Sequence, residues 1–212
     1  MRPREFLAAD GSVGSALDEV LLMGNDMLCK KLHHAAYRCK DARETVDFYT
    51  NVLGLKFSHA MGEDYVPSTG ELSPHVHIFF GMEDGSKIAF FEVPRDPGNI
   101  KDPESPDWIQ HFAFEVESAA VLHQAKKDLE AKGIKVVGPT NHDDFIESIY
   151  FFDPSGHRLE LTANTCAPER TAEFEREAPQ VLALWEKTHD WSNREALFGV
   201  KSGYERSSGD RK

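Results

Sequence analysis

One eight-residue pattern occurs twice, 77 residues apart, and it restricts the chain to a fold built from two copies of one unit. LHHAAYRC (32–39) and IQHFAFEV (109–116) share the order aliphatic-x-His-x-Ala-aromatic-x-small apolar. Each reads as a strand, with Leu32, His34 and Ala36 on one face of the first. Asp41 is placed to cap a helix, with Glu44 three residues on and Thr45, Phe48, Tyr49, Val52 and Leu53 at helical spacing until Gly54. Strand-like runs follow at 56–60, 75–80 and 87–93. After the proline-rich stretch 94–107 the order recurs. Ser118 caps a helix over 119–132 that Gly133 stops, and strands follow at 135–137, 148–152 and 158–162. One βαβββ unit leaves a sheet face uncovered, so two must pair.

Residues 1–30 therefore read as an N-terminal extension, with a helix over 16–28, and 31–165 as the paired modules, about 31–94 and 108–165. Residues 166–212 read as a helical extension with a loose tail. One or two amphipathic helices lie within 171–198 and break near Pro179. Phe174, Val181, Leu182, Leu184, Trp185 and Trp191 are too apolar for a free tail and are expected to pack on the modules or on a second copy.

Charge narrows the partners. Lys and Arg total 24 against 36 Asp and Glu, a net charge of −12. Such a chain lacks the basic field that nucleic acid or an anionic membrane surface requires. No apolar run is long enough to span a bilayer, and MRPREFLAADGSVGS has no apolar region of the signal-peptide kind. Cys29, Cys39 and Cys166 are few and widely spaced, so a reducing compartment, the cytoplasm, is expected. Neither nucleic acid nor a membrane is an expected partner; a small-molecule substrate is.

Ten histidines beside 36 acids are the unusual feature. His34 and His111 stand on the first strand of each unit, and Glu92 and Glu160 on the last. If the units pair about a pseudo-twofold axis, two imidazoles and two carboxylates converge. Such a mixed set suits a divalent first-row metal: Fe, Mn, Ni, Co or Zn. Singly, a strand histidine is more often a core residue and a strand glutamate a solvated one; the recurrence makes the metal reading the stronger. His75 and His77 share a strand face; an exposed pair is the expected reading, and an addition to the pocket is the alternative. His33 points to the face opposite His34 and is excluded. Phe79, Phe80, Phe90, Phe91 and Phe114 are either core or the wall of an aromatic-binding cavity.

His34-Ala-Ala-Tyr, Phe48-Tyr49 with Val52-Leu53-Gly54-Leu55, and Phe152-Asp-Pro-Ser-Gly-His-Arg-Leu-Glu160 resemble the vicinal oxygen chelate superfamily. That group holds glyoxalase I, methylmalonyl-CoA epimerase, fosfomycin- and bleomycin-resistance proteins and extradiol dioxygenases. The resemblance covers about 31–165. It implies an α+β fold of two βαβββ modules in a half-closed barrel around a metal. It also implies that His34, His111 and Glu160 are ligands, with Glu92 matching the glyoxalase branch's fourth. Thr140-Asn141-His142, Tyr150 and Asp153 to Glu160 are similar to the extradiol motif, in which His142 and Tyr150 would line the pocket. There a neutral imidazole accepts and returns a proton, and a phenol donates a hydrogen bond.

Coordination counting opposes that branch. Four protein ligands leave two octahedral positions, enough for an enediolate. A catechol with dioxygen needs three, hence a 2-His-1-carboxylate set. Ligation by Glu92 favours an isomerase, epimerase or lyase, in which Glu92 or Glu160 shuttles the proton. A displaced Glu92 favours the dioxygenase with Fe(II), the preferred reading. A metal-free small-molecule-binding protein is the third. A homodimer is expected, with the site either within one chain or between two.

Overall fold

The computed structural model describes residues 29–189, positions 97 and 143 excepted. The expected helix over 16–28 and the tail beyond 189 lie outside the described residues. In order come β1 (Ala35–Arg38), α1 (Ala42–Asn51), β2 (Lys56–Tyr65), β3 (Leu72–Gly81), β4 (Lys87–Glu92), β5 (His111–Glu115), α2 (Ala119–Ala131), β6 (Val137–His142), β7 (Ile146–Phe152), β8 (Arg158–Asn164) and α3 (Pro168–Thr188).

The two βαβββ units form two four-stranded sheets, ordered β1-β4-β3-β2 and β5-β8-β7-β6. In each, the first strand runs parallel to the last and the other pairs are antiparallel. The fold is α+β, without a closed barrel. Local chemistry sets the helix ends. Asp41 takes the Glu44 N–H at 2.7 Å, and Ser118 takes that of Val121 at 3.3 Å. Gly54 (φ +74°) and Gly133 (φ +80°) supply the left-handed residue that ends each helix.

α1 and α2 each cover one face of their own sheet. Thr45, Phe48 and Tyr49 of α1 and Leu122 and Leu129 of α2 are buried there. One continuous apolar cluster joins both units, with Tyr49, Phe80, Phe90, Leu122, Ile149, Phe151 and Leu159 almost wholly enclosed.

The turn between β7 and β8 ties the units together. Tyr49 Oη donates to Asp153 Oδ2 (3.1 Å), the Lys40 N–H to Ser155 Oγ (3.1 Å), and His157 Nε2 to the Arg38 carbonyl (2.7 Å). The His157 N–H also donates to Asp153 Oδ1 at 2.8 Å. Burial raises the Asp153 carboxyl above the usual carboxylate range, and the facing His157 opposes that shift. Asp153→Ala leaves two buried donors unpaired and is expected to cost about 2–4 kcal/mol. An unfolding midpoint in urea equal to wild type would refute this clamp.

Element ends differ from the sequence expectation where periodicity is weak. β2 runs ten residues, not five, with every residue exposed, so no face carries an apolar stripe to mark it. α3 continues through Pro179 instead of breaking. Its Phe174 packs on Phe145 (ring centroids 5.1 Å), yet none of its residues is buried.

Candidate functional site: a metal half-site on the uncovered sheet face

The faces not covered by helices carry the chemistry. On the second sheet, His111, Glu160, Tyr150 and His142 are linked in one chain. His111 Nε2 lies 2.9 Å from Glu160 Oε2. Tyr150 Oη donates to Glu160 Oε1 at 3.2 Å, and His142 Nε2 lies 2.7 Å from Tyr150 Oη. Glu160 is only 4% exposed. Burial, then the Glu160 charge, raises the Tyr150 phenol above its ordinary value, so near neutrality it is a donor.

The donor set carries a mismatch that a cation resolves. His111 Nδ1 lies 3.0 Å from the Ile109 carbonyl and must donate to it. In neutral imidazole Nε2 is then a lone pair, and it faces a buried carboxylate. Two acceptors 2.9 Å apart need a proton or a metal between them. A ligating histidine characteristically donates its other N–H to a carbonyl, as here. The pair therefore fits a divalent metal, with Tyr150 holding the second carboxylate oxygen.

His34 and Glu92 do not join that chain. His34 precedes β1 on the first sheet's uncovered face, beside Phe79 (5.5 Å between ring centroids), His77 (6.0 Å) and His33. The excluded His33 touches it through Nδ1 at 2.8 Å, because this bend lies before the strand and strand alternation does not apply. Glu92 Oε2 instead accepts the Ala42 N–H at 2.7 Å, at the N-terminus of α1.

The expected symmetry of the two glutamates is corrected by the register. Ala113 pairs with Glu160, whereas its counterpart Ala36 pairs with Ala89. The first-unit equivalent of Glu160 is thus Ala89. Glu92 lies three residues on, with Ile88 and Phe90 on the helix-covered side, since strand faces alternate. Among the described residues no three His, Cys, Asp or Glu side chains of one chain are placed to hold a metal ion.

Two residues escaped the sequence reading or were underrated. Arg158 lies over the Tyr150 ring (Cζ 4.2 Å from the centroid), and its Nε is buried without a partner. A cavity of about 260 Å³ beside it and His111 is also lined by Tyr37, Lys101 and Phe152. His77, only 8% exposed, also has an unpartnered Nε2. Burial and the neighbouring His34, His75 and His59 lower its pKa to about 4 from 6.5. The folded state thus binds this proton less readily than the unfolded chain. The associated stability is present above about pH 6.5 and lost as pH falls towards 4, at most about 3 kcal/mol. Denaturant midpoints of the metal-free protein should drop over that window, and less so in His77→Phe. Equal slopes in the two proteins would refute it.

Residues 31–161 match the model of the Glyoxalase/Bleomycin resistance protein/Dioxygenase superfamily. The chain belongs to this superfamily. Within it, the chain is 29% identical over 136 residues to MhqA of Bacillus subtilis, a protein provisionally named as a ring-cleaving dioxygenase; the match covers 63% of this chain and 40% of MhqA. The chain thus spans well under half the length of that relative. YwkD of Bacillus subtilis, named as uncharacterized, is 30% identical over 64% of this chain and 98% of its own. The metallothiol transferase FosB of Bacillus licheniformis is 25% identical over 71% of this chain and 85% of its own. Among solved structures, the fosfomycin resistance protein FosX of Listeria monocytogenes, complexed with Mn(II) and sulfate, is 24% identical, with a TM-score of 0.47 over 65% of this chain and 95% of that one. No helix among the described residues is long and apolar enough to cross a membrane.

Proposed function

We propose that the protein is a divalent-metal-dependent enzyme of the extradiol ring-cleaving type, acting in the cytoplasm on a small aromatic diol. The observation that carries this is the hydrogen-bonded chain His142–Tyr150–Glu160 ending on His111, whose Nε2 lies 2.9 Å from the carboxylate. His111 and Glu160 would hold Fe(II), with Mn, Ni, Co or Zn as substitutes. His34 completes a 2-His-1-carboxylate set. Ala89 at the place of a second carboxylate, with Glu92 engaged at α1, supports three protein ligands over four and so favours the dioxygenase over the isomerase or lyase reading.

His34 lies on the other sheet, and we place it in the site through a homodimer in which the uncovered sheet faces of two copies meet. Support comes from β2, exposed throughout, and from Met61, Tyr65 and Leu72, large apolar side chains left in solvent. Each shared site then takes His34 from one copy and His111 with Glu160 from the other.

Bound Fe(II) would supply the redox-active centre that brings a catechol and dioxygen to reaction. The protein's own groups do the rest. Ile109 orients His111 through its carbonyl. Tyr150 remains protonated and presents a donor beside Glu160. His142, exposed beside the Tyr150 hydroxyl, would take a catechol proton and return it to the opened product.

The test is anaerobic reconstitution with Fe(II), measurement of bound metal, and oxygen uptake with a panel of catechols. Hemithioacetal isomerisation by the Ni, Co and Zn forms is run in parallel. Oxygen uptake with ring-opened product is expected. Metal without oxygen uptake but with isomerisation selects the lyase, and absence of metal with every ion selects a binding protein.

A further inference from the structure

The sheet face that carries His111 and Glu160 continues into the cavity of about 260 Å³. One wall is a row of cross-strand partners, because His111 pairs with Arg158 and Arg158 with Phe152. Much of the rest comes from the segment between the two units, residues 100–110, which Arg38 anchors upstream through the Asp96 carboxylate at 2.8 Å. Tyr37, Ile109 and Phe152 line the cavity and are left exposed, so it presents uncovered apolar surface. Its charges are unevenly matched. Lys101 is paired with Asp107, and Asp102 takes the Ser105 hydroxyl at 2.6 Å and the Glu104 N–H at 3.0 Å. Glu160, two residues along the same face, is engaged by His111 and Tyr150. The Arg158 guanidinium has neither an ion pair nor a hydrogen bond among the described residues, and it rests on the face of Tyr150. That contact uses the flat side of the group and leaves its N–H edge unused. Nε is enclosed, while the two Nη nitrogens are not. A half-buried cation without an anion is unfavourable. Its charge is shared over the whole guanidinium, so an anion at the Nη edge offsets that cost without touching Nε. The described chain places no acid there, although acids outnumber Lys and Arg by 36 to 24.

We propose that the ligand of this cavity is an aromatic diol that also carries a carboxylate, with the carboxylate held by Arg158 and the ring lying along Phe152. The guanidinium fork matches two coplanar carboxylate oxygens. The exposed aromatic and aliphatic walls take a flat ring, and the volume suits one substituted ring instead of a larger ligand. His111 and Arg158 stand on adjacent strands, about 5 Å apart, so a single ring reaches from one to the other. The guanidinium is charged at every physiological pH, and the contact does not depend on the protonation of the metal-binding groups. The inference rests on the proposed function for the diol; the carboxylate contact rests on the cavity and on Arg158.

The experiment measures binding of 3,4-dihydroxybenzoate and of its uncharged analogue 3,4-dihydroxybenzamide by calorimetry to full-length wild type, Arg158→Gln and Arg158→Lys, each metal-free and Mn(II)-loaded. Mn(II) affinity is read by electron paramagnetic resonance, and thermal melting checks the fold. Wild type is expected to bind the acid roughly tenfold or more tightly than the amide in both forms, the worth of one charge-assisted contact. Arg158→Gln should remove that difference by weakening the acid alone, with the amide and Mn(II) within twofold of wild type. Arg158→Lys, a point charge without the fork, should recover part of it. The proposal is overturned if wild type binds the amide as tightly as the acid, which needs no variant to fold. It is also overturned if Arg158→Gln weakens both equally, which makes Arg158 a packing element on Tyr150. Oxygen uptake by the Fe(II) form with unsubstituted catechol but not with the acid overturns it and leaves the extradiol reading standing. If no catechol supports oxygen uptake, the extradiol reading fails, and the metal-free difference between acid and amide still decides the role of Arg158.

Discussion

Mixing His34→Ala protein with His111→Ala protein, under conditions that exchange subunits, is expected to restore metal binding and activity that neither variant has alone. Each homodimer carries two damaged sites, because every site lacks one imidazole. In the mixed dimer one site takes both substitutions and the other takes none. Random exchange makes half of the dimers mixed, so recovery approaches about a quarter of the wild-type sites. The physical ground is the separation of the donors: His111 and Glu160 meet at 2.9 Å, while His34 sits on the other sheet among His33, His77 and Phe79. Bound metal by elemental analysis and oxygen uptake are the measurements. No recovery in a mixture shown to contain the mixed dimer would place all ligands in one chain and end the shared-site proposal.

Substituting His142 by Ala is expected to lower kcat by about 10²–10⁴-fold, the range for losing a general acid–base group. Bound metal stays at the wild-type level, because His142 reaches Glu160 only through the Tyr150 hydroxyl. Glu92→Gln does the reverse of what a fourth ligand requires. It keeps metal and turnover and loses about 1 kcal/mol of stability, since the Ala42 N–H at the start of α1 then meets an uncharged acceptor. Oxygen-uptake kinetics, metal content and urea midpoints on the two variants check both expectations. If Glu92→Gln empties the metal site while His142→Ala turns over normally, the lyase reading replaces the dioxygenase one.

The two glutamates show why the fold was legible and the site only partly so. The first and second units announce themselves through LHHAAYRC and IQHFAFEV, through the caps Asp41 and Ser118, and through Gly54 and Gly133 at the helix ends. These are short-range rules, in which each residue acts on a backbone group three or four positions away. The Asp153 to His157 turn was visible as a motif, but not its work as the clamp on Tyr49 and Arg38, 104 and 119 residues distant.

Which face a glutamate takes is a different kind of fact. β8 alternates, with Leu159, Leu161 and Ala163 towards the helix and Glu160 away, so its parity is readable. β4 reads Ile-Ala-Phe-Phe, apolar on both faces, because Ala89 and Phe91 line the uncovered side while Ile88 and Phe90 meet α1. Nothing in that run says which side Glu92 faces; only the pairing of Ala36 with Ala89 does. By itself the sequence determined the duplicated units, their helix ends and the donor types, since those follow from local periodicity and hydrogen bonding. Tertiary structure alone decided that Glu92 caps a helix, that His34 lies on the other sheet from His111 and Glu160, and that His77 is buried without a partner, since strand register and the packing of distant segments are set by the whole core.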